Sequence, residues 1–427
     1  MVLDTCRYDT FSEHFGWLEG HRYTNAWSTS HWTVPAHASI YTGKYPSEIG
    51  TTVKSKSLGK GTKSIVQVMK DAGYRSTLIT SNLQISAWDG WLRGDDRTFG
   101  PRGEGVKPVP DGIVDWGDFN SQTETDGLKK YAAAFWEALR PRYNTLKSLW
   151  QGYKRISDIS YSADKTLERI RAEKFGENEF LMANIMDMHG PYYPPTKYRS
   201  INRRVKPEIE EGLSGTADGE AARTAYKECA EYLSNRYKEI YEELKKDFDY
   251  IITLSDHGEL LGEYDLFAHT YGLHPELAHV PLVISGDGIG NEEHAVPVSL
   301  LDIHATIGDI TDVNVNSRGQ SLLSSIESRD RLVEYHGMSK MRRKKFEAVG
   351  LLEYFDRLDV QLDGVISEDG YAYETPSGLV VDGNWSADEA EQRLRELVKS
   401  IDRKELLEES EEVSKDVQER LQDLGYA

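Results

Sequence analysis

Residues 249–257 read DYIITLSDH: a short run dominated by Ile, Thr and Leu that stops abruptly at Ser255, Asp256 and His257. A run of this length and composition, set between helix-like segments, reads as a strand buried on both faces of a parallel sheet. Three other runs repeat the pattern. MVL (1–3) runs into Asp4, STLIT (76–80) into Ser81 and Asn82, and EFLMANIM (179–186) into Asp187 and His189. SIVQVMKDAGY (64–74) fits the helix before one of them, with Ile65, Val68, Met69 and Ala72 on one face and Gly73 as its stop. In open α/β sheets ligands bind beyond the carboxyl ends of the strands. Four strands delivering polar clusters to one edge therefore place a candidate site there. The fold expected is α/β: a mainly parallel mixed sheet with helices on both faces, plus a small C-terminal α+β appendage.

Composition narrows the function. The chain has 427 residues, with 51 Lys+Arg against 71 Asp+Glu and a net charge of −20. Its mean hydropathy is −0.59, and no apolar run approaches the roughly 18–20 residues that cross a bilayer, so membrane association finds no support. The negative charge repels phosphate backbones and argues against nucleic acid as a partner. Twenty-four Tyr, nine Trp and eleven Phe argue against disorder. Only Cys6 and Cys229 occur, so no disulfide framework is supported. MVLDTCRYDT lacks a basic n-region and an apolar h-region, so a cytoplasmic protein is expected. Three residues are short for a central strand, whose usual length is about 5–6. This predicts that apolar residues precede Met1, and an upstream leader or anchor then stays open.

The expected organisation is a catalytic domain over residues 1–335, interrupted by an insertion at about 100–165, and a C-terminal subdomain over 336–427. Segments 100–165 and 196–225 read as insertions or lids over the site. GLLEYFDRLDVQLDGV, GYAYETP and SGLVVDG read as short antiparallel strands. Residues 386–425 read as a charged amphipathic helix with Leu394, Leu397 and Ile401 on one stripe.

The chemistry concentrates in two stretches. In SHWTVPAHASIYTGKYPSEIG (30–50), Thr33 lies two residues before Pro35, which can open a helix. A hydroxyl there faces backbone N–H groups and the positive end of the dipole, although a simple helix cap is the plainer reading. A Thr alkoxide needs a metal to form at neutral pH. In LSDHGELLGEYDLFAHTYGLHPELAHVPLVI (254–284), Asp256 and His257 leave a buried strand together and, with Asp4, make a plausible divalent-metal site. His31 and Trp32 flank Thr33 as candidate pocket walls. His274, His279, His294, His304 and His336 have no motif role. GDGIG (286–290) and GKGTKS (59–64) lack the spacing of dinucleotide and phosphate-loop motifs.

Taken together, VLDTCRYDTF, TVPAHASIYTGKYP, DMHGPYYPP, TLSDHGELLGEYDLFAHT and HVPLVI resemble, in order and spacing, the sulfatase branch of the alkaline phosphatase superfamily. VSLLDIHATI (298–307), RGQSL (318–322) and ERLQDLGY (419–426) extend the resemblance. It implies an alkaline-phosphatase-like sheet and an enzyme acting on phosphate or sulfate esters. Asp4, Asp256 and His257 match the metal ligands, and Thr33 matches the nucleophile, which also contacts the metal. His189 and His269 match residues that bind the ester oxygens or assist the leaving group, and Arg7 matches an early arginine read here as structural.

The departures shape the expectation. Family sulfatases carry Cys or Ser, matured to formylglycine, at the nucleophile and Arg two residues past the Pro; here Thr33 and His37 stand there. Threonine lacks the primary β-carbon that maturation requires. His37 is left as a candidate substrate-binding residue. Thr5 replaces a second Asp and removes a hard oxygen ligand, so one Mn²⁺ or Zn²⁺ is expected rather than Ca²⁺ or Mg²⁺. The pattern is similar to Thr-nucleophile phosphotransferases of the superfamily, such as phosphoglycerol and phosphoethanolamine transferases. The substrate expected is an anionic ester on a glycan, lipid head group or small molecule. Alternatives are a sulfatase working without formylglycine and a catalytically degenerate relative that binds anionic glycan or lipid. The acidic excess has two readings, an ordinary solvated acidic surface and, the one favoured here, adaptation to high salt. Melting in molar KCl should then occur at higher temperature than in low salt, and an unchanged or lower melting temperature would refute that reading.

Overall fold

The computed structural model describes residues 1–59, 61–100, 112–114, 128–149 and 161–404. At its centre is an eight-stranded sheet in the order Glu292–His294, His21–Tyr23, Leu282–Gly286, Tyr250–Leu254, Val2–Leu3, Glu179–Ile185, Arg75–Thr80 and Arg97–Phe99. Only Leu282–Gly286 runs against the others within this sheet. The mainly parallel mixed sheet of the expected fold is therefore present, and all four apolar runs read as strands are strands.

Successive strand residues point to opposite faces, and this splits the core in two. Val2, Leu78, Met182, Leu254 and Ile284 pack under one layer containing helices Thr33–Thr42, Ile65–Asp71 and Leu301–Ile310. Leu3, Ile79, Ala183, Val283 and Ile251 pack under the other, containing Tyr8–His14, Ser162–Ala172 and Gly219–Leu244. Burial on both faces explains why the strands read as continuous apolar runs. The helix expected at 64–74 spans Ile65–Asp71; Ser64 caps it with a Gln67 box, and Gly73 follows at φ +90°.

Val2 pairs with Asn184 on one side and Leu254 on the other. This register sets Asp4, Ile185 and Ser255 side by side at the carboxyl edge, where the Asp4 amide donates to the Ile185 carbonyl at 2.9 Å. A cavity of about 300 Å³ lies at the other end of these strands, lined by Met1, Phe180, Met182, Ile252 and Leu254. It holds none of the candidate site residues.

The C-terminal part is a four-stranded antiparallel sheet: Arg331–His336, Gln361–Ser367, Gly370–Thr375 and Gly378–Gly383. The division expected between residues 335 and 336 falls inside its first strand. Within GLLEYFDRLDVQLDGV the strand reading fails for the first half, because Leu352–Leu358 is a helix. Phe355 and Leu358, three apart, bury one helical face beside Phe346, and that packing overrides the β-leaning composition. Helix Ala387–Lys399 places Ala390 and Leu394 against Leu332, Val365 and Ala372. The helix expected over 386–425 ends at Lys399; residues 405–427 lie outside the described residues, as does most of the insertion expected at 100–165.

Candidate functional site

The site begins where two adjacent strands end. Ser255 stitches them together: its hydroxyl donates to the Leu3 carbonyl (2.7 Å) and accepts from the Cys6 amide (2.9 Å). Thr5 adopts φ +59°, an unusual conformation for a β-branched residue. Its amide donates to Asp256 Oδ1 (3.3 Å) and its carbonyl accepts from the Tyr226 hydroxyl (2.7 Å). Those two bonds hold the strained turn that aims Asp4 at Asp256.

Asp4, Asp256 and His257 each offer a ligand atom, and the three atoms lie within 4.8 Å of one another. All three residues are without solvent exposure. Asp4 Oδ2 accepts from Asn82 Nδ2 (2.7 Å) and Asn184 Nδ2 (2.9 Å), while Asp4 Oδ1 and Asp256 Oδ2 are buried and accept no hydrogen bond. His257 Nδ1 faces the Gly258 carbonyl at 2.9 Å, which assigns the proton to Nδ1 and leaves the Nε2 lone pair to the site. Two orphaned carboxylate oxygens and one imidazole lone pair converging in a buried pocket fit a divalent cation.

Electrostatics point the same way. Burial and the neighbouring Asp4 push the Asp256 carboxyl well above its ordinary value. Burial would raise Asp4 as well, but His189, His257 and the Asn184 amide outweigh it and hold Asp4 below. Burial and mutual repulsion thus disfavour charging both carboxyls at once.

Thr33 opens the helix Thr33–Thr42, two residues earlier than Pro35 suggests. Trp32 is the N-cap residue, and no side chain caps the helix. The Thr33 hydroxyl instead lies 3.2 Å from His257 Nε2. All ten helix residues are buried, and the helix ends at Gly43 with φ +64°, a left-handed position that suits glycine. His37, one turn on, faces the Thr33 carbonyl (3.0 Å) and Asp256 Oδ2 (3.4 Å) through Nδ1. It has no exposure, and burial pushes its imidazole down to about 4. The position that matches the family arginine thus holds a neutral side chain behind a carboxylate.

His189 and His269 complete the cluster. The His269 ring lies 4.6 Å from that of His257 and 5.1 Å from that of His189, centre to centre. His269 Nδ1 is 3.0 Å from Glu259 Oε1, and Glu259 Oε2 accepts from Tyr192 at 2.9 Å. His189 Nδ1 faces the Gly190 carbonyl at 2.7 Å. Burial lowers both imidazoles and raises Glu259 to about 7. A small cavity beside them, about 30 Å³, is bordered by Lys206, Glu208 and Arg342. Arg7 pairs with Asp9 (2.6 Å) and Glu263 (2.7 Å), away from the carboxylate pair.

Every residue singled out for chemistry — Asp4, Thr33, His37, His189, Asp256, His257 and His269 — joins this one contact network. His31 lies nearby, with its ring 4.6 Å from Tyr335. Three participants went unassigned in the sequence reading: Asn82 and Asn184, which hold Asp4, and Glu259, which orients His269. Asn184 carried a usable signal, an amide inside an apolar strand.

The sulfatase family profile matches residues 13–313. The chain belongs to the sulfatase family. It is 21% identical over 346 residues to the uncharacterized sulfatase YidJ of Escherichia coli (strain K12), an alignment covering 74% of this chain and 66% of that one, just under two thirds of the relative's length. Among solved structures, phosphonate monoester hydrolase SpPMH from Silicibacter pomeroyi matches with a TM-score of 0.64 and 16% identity, covering 93% of this chain and 94% of the other. A protein in the alkaline phosphatase superfamily from Vibrio parahaemolyticus matches with a TM-score of 0.54 and 13% identity, covering 92% and 83%. At these identities the structures establish the fold, an alkaline-phosphatase-like mixed sheet.

The carboxylate pair generates a test. Burial and Asp4 disfavour the Asp256 carboxylate that must ligate, so divalent-metal affinity should fall as pH is lowered, with proton release on binding. Asp256→Asn should lose about one equivalent of Mn²⁺ or Zn²⁺. Calorimetric titration with either metal, in two buffers of different ionisation enthalpy, measures both effects. Affinity independent of pH, or unchanged in the variant, would contradict the assignment.

Proposed function

We propose that this chain is a metal-dependent hydrolase or transferase acting on phosphate or sulfate esters, with Thr33 as nucleophile. The observation that carries the reading is the 3.2 Å approach of the Thr33 hydroxyl to His257 Nε2, beside a buried Asp4–Asp256–His257 donor set. A divalent cation held there, Mn²⁺ or Zn²⁺ by its donors, supplies Lewis acidity that makes a neighbouring hydroxyl more acidic and offsets charge on the ester oxygens.

The chain's own groups carry the remaining steps. The Nε2 lone pair of His257 cannot serve a cation and the Thr33 proton together, so with a cation in place an oxygen of the incoming ester or a water entering with it would take the Thr33 proton, and Thr33 enters as the alkoxide. Its Oγ1 forms the bond to phosphorus or sulfur while the bond to the leaving oxygen breaks in line with it. His269, oriented by Glu259 through Nδ1, or His189, similarly held by the Gly190 carbonyl, protonates the departing oxygen. An incoming anion favours the charged imidazolium that burial otherwise suppresses. Water or an acceptor alcohol then takes the group from Thr33 and restores the hydroxyl. His37 donates through Nδ1 to the Thr33 carbonyl and so helps to fix the first turn of the helix that carries the nucleophile. The substrate class proposed is an anionic ester of a glycan, lipid head group or small molecule; Lys206 and Arg342 border the cavity beside the histidines, both paired with Glu208.

A sulfatase reading without formylglycine draws support from the family and from the name of the E. coli relative. Chemistry favours phosphorus, because a sulfated threonine has no hemiacetal route for collapse and must await attack by water. Matched phosphate, phosphonate and sulfate esters of one alcohol separate the readings. Phosphorus esters should turn over faster than the sulfate, and Thr33→Ala should abolish turnover while leaving metal content unchanged. Retained turnover in Thr33→Ala would overturn the nucleophile assignment.

A further inference from the structure

A second donor set lies at the far edge of the sheet. The outermost strand, Glu292–His294, pairs in parallel with His21–Tyr23, Glu292 opposite His21 and His294 opposite Tyr23. Alternate residues share a face of a strand, so this register brings His21, Glu292 and His294 to one face. Each offers a ligand atom, and the three atoms lie within 4.8 Å of one another. The two imidazoles meet edge to face at 4.8 Å between centres, and Tyr23 stacks on His294 at 5.1 Å.

Two ring nitrogens of this cluster have no hydrogen bonds. His21 Nδ1 and His294 Nε2 are both shielded from solvent and bond to nothing. Glu292 Oε2 stays 3.9 Å from His294 Nε2, too far for a hydrogen bond, and its side chain is 65% exposed. Two shielded imidazole nitrogens without partners, faced by a solvent-exposed carboxylate, form an incomplete polar arrangement that a cation would complete.

We propose that His21, Glu292 and His294 form a second metal site, selective for Zn²⁺ or a neighbouring late transition metal over Ca²⁺ and Mg²⁺. Two imidazoles and one carboxylate are a borderline-soft donor set, one that fits a four-coordinate ion keeping its last position for water. Four strand spacings of about 4.8 Å separate this edge from Val2–Leu3, roughly 19 Å, so the site is independent of the ester chemistry. Its role is structural: the ion would clip a three-residue edge strand to its neighbour, where backbone pairing alone is brief.

The test is Zn²⁺ stoichiometry by equilibrium dialysis and metal analysis on untagged full-length protein. Four proteins are compared: the parent, Asp256→Asn, His294→Gln, and the double variant. Within each background His294→Gln should lose one equivalent, and Zn²⁺ should raise the melting temperature of Asp256→Asn but not of the double variant. His21→Gln should reproduce the loss, and circular dichroism checks that each variant is folded. Equal stoichiometry with and without His294, in either background, would overturn the proposal. Loss confined to Asp256→Asn would place all bound zinc at the central site and overturn it equally. The difference due to His294 is read separately from that due to Asp256, so failure of either site leaves the other testable.

Discussion

The structure turns on two carboxyl groups, Asp4 and Asp256, brought together without solvent at the middle of the sheet. Two full negative charges less than 5 Å apart repel by about 3 kcal/mol even at an effective dielectric constant of about 20, before either pays for leaving water. Asn82 and Asn184 answer one oxygen of Asp4, and the amides of Thr5 and His257 answer one of Asp256. One oxygen on each carboxylate is left over. A proton relieves the arrangement partially; a cation relieves it and uses both oxygens.

Much of the surrounding fold holds that pair in place. Val2–Leu3 is only two residues long, yet it lies between Glu179–Ile185 and Tyr250–Leu254, so one strand end delivers Asp4 beside the end that delivers Asp256 and His257. Tyr226, from the long helix Gly219–Leu244, secures the left-handed turn at Thr5. The C-terminal sheet braces the opposite wall. Its buried Glu334 accepts from the Ser47 amide (3.0 Å), and the Glu334 amide donates to the Thr29 carbonyl (2.9 Å), four residues before Thr33. The Thr33–Thr42 helix is therefore clamped at both ends.

The strands and the site edge were legible because doubly covered strands leave uninterrupted apolar runs whose polar stops are conspicuous. Asp4, Asp256 and His257 were readable for that reason, and Thr33 by its place before Pro35. The helix Leu352–Leu358 was hidden because its stripe of Phe355 and Leu358 is short and flanked by residues that also suit strands. Asn82, Asn184 and Glu259 were hidden for a different reason. They act on other site residues rather than on a substrate, and only the pairing of Val2 with Asn184 reveals that an amide in one strand supports a carboxylate in the next. The buried state of His37 was equally unreadable, since Asn184 and Asp256, which lie beside it, are 147 and 219 residues away in the sequence.

Thr33, where family sulfatases carry Cys or Ser, and Thr5, in place of a second Asp, set this chain apart, the first bearing on how a group would be passed on and the second on how a cation would be held. The most direct test is mass spectrometry of the peptide carrying Thr33 after rapid acid quench of turnover on a phosphate ester. The account predicts one phosphoryl group on Thr33 that accumulates within a single turnover and disappears when water or an acceptor alcohol discharges it. Turnover with Thr33 unmodified at every quench time, or the group appearing on another residue, would contradict it.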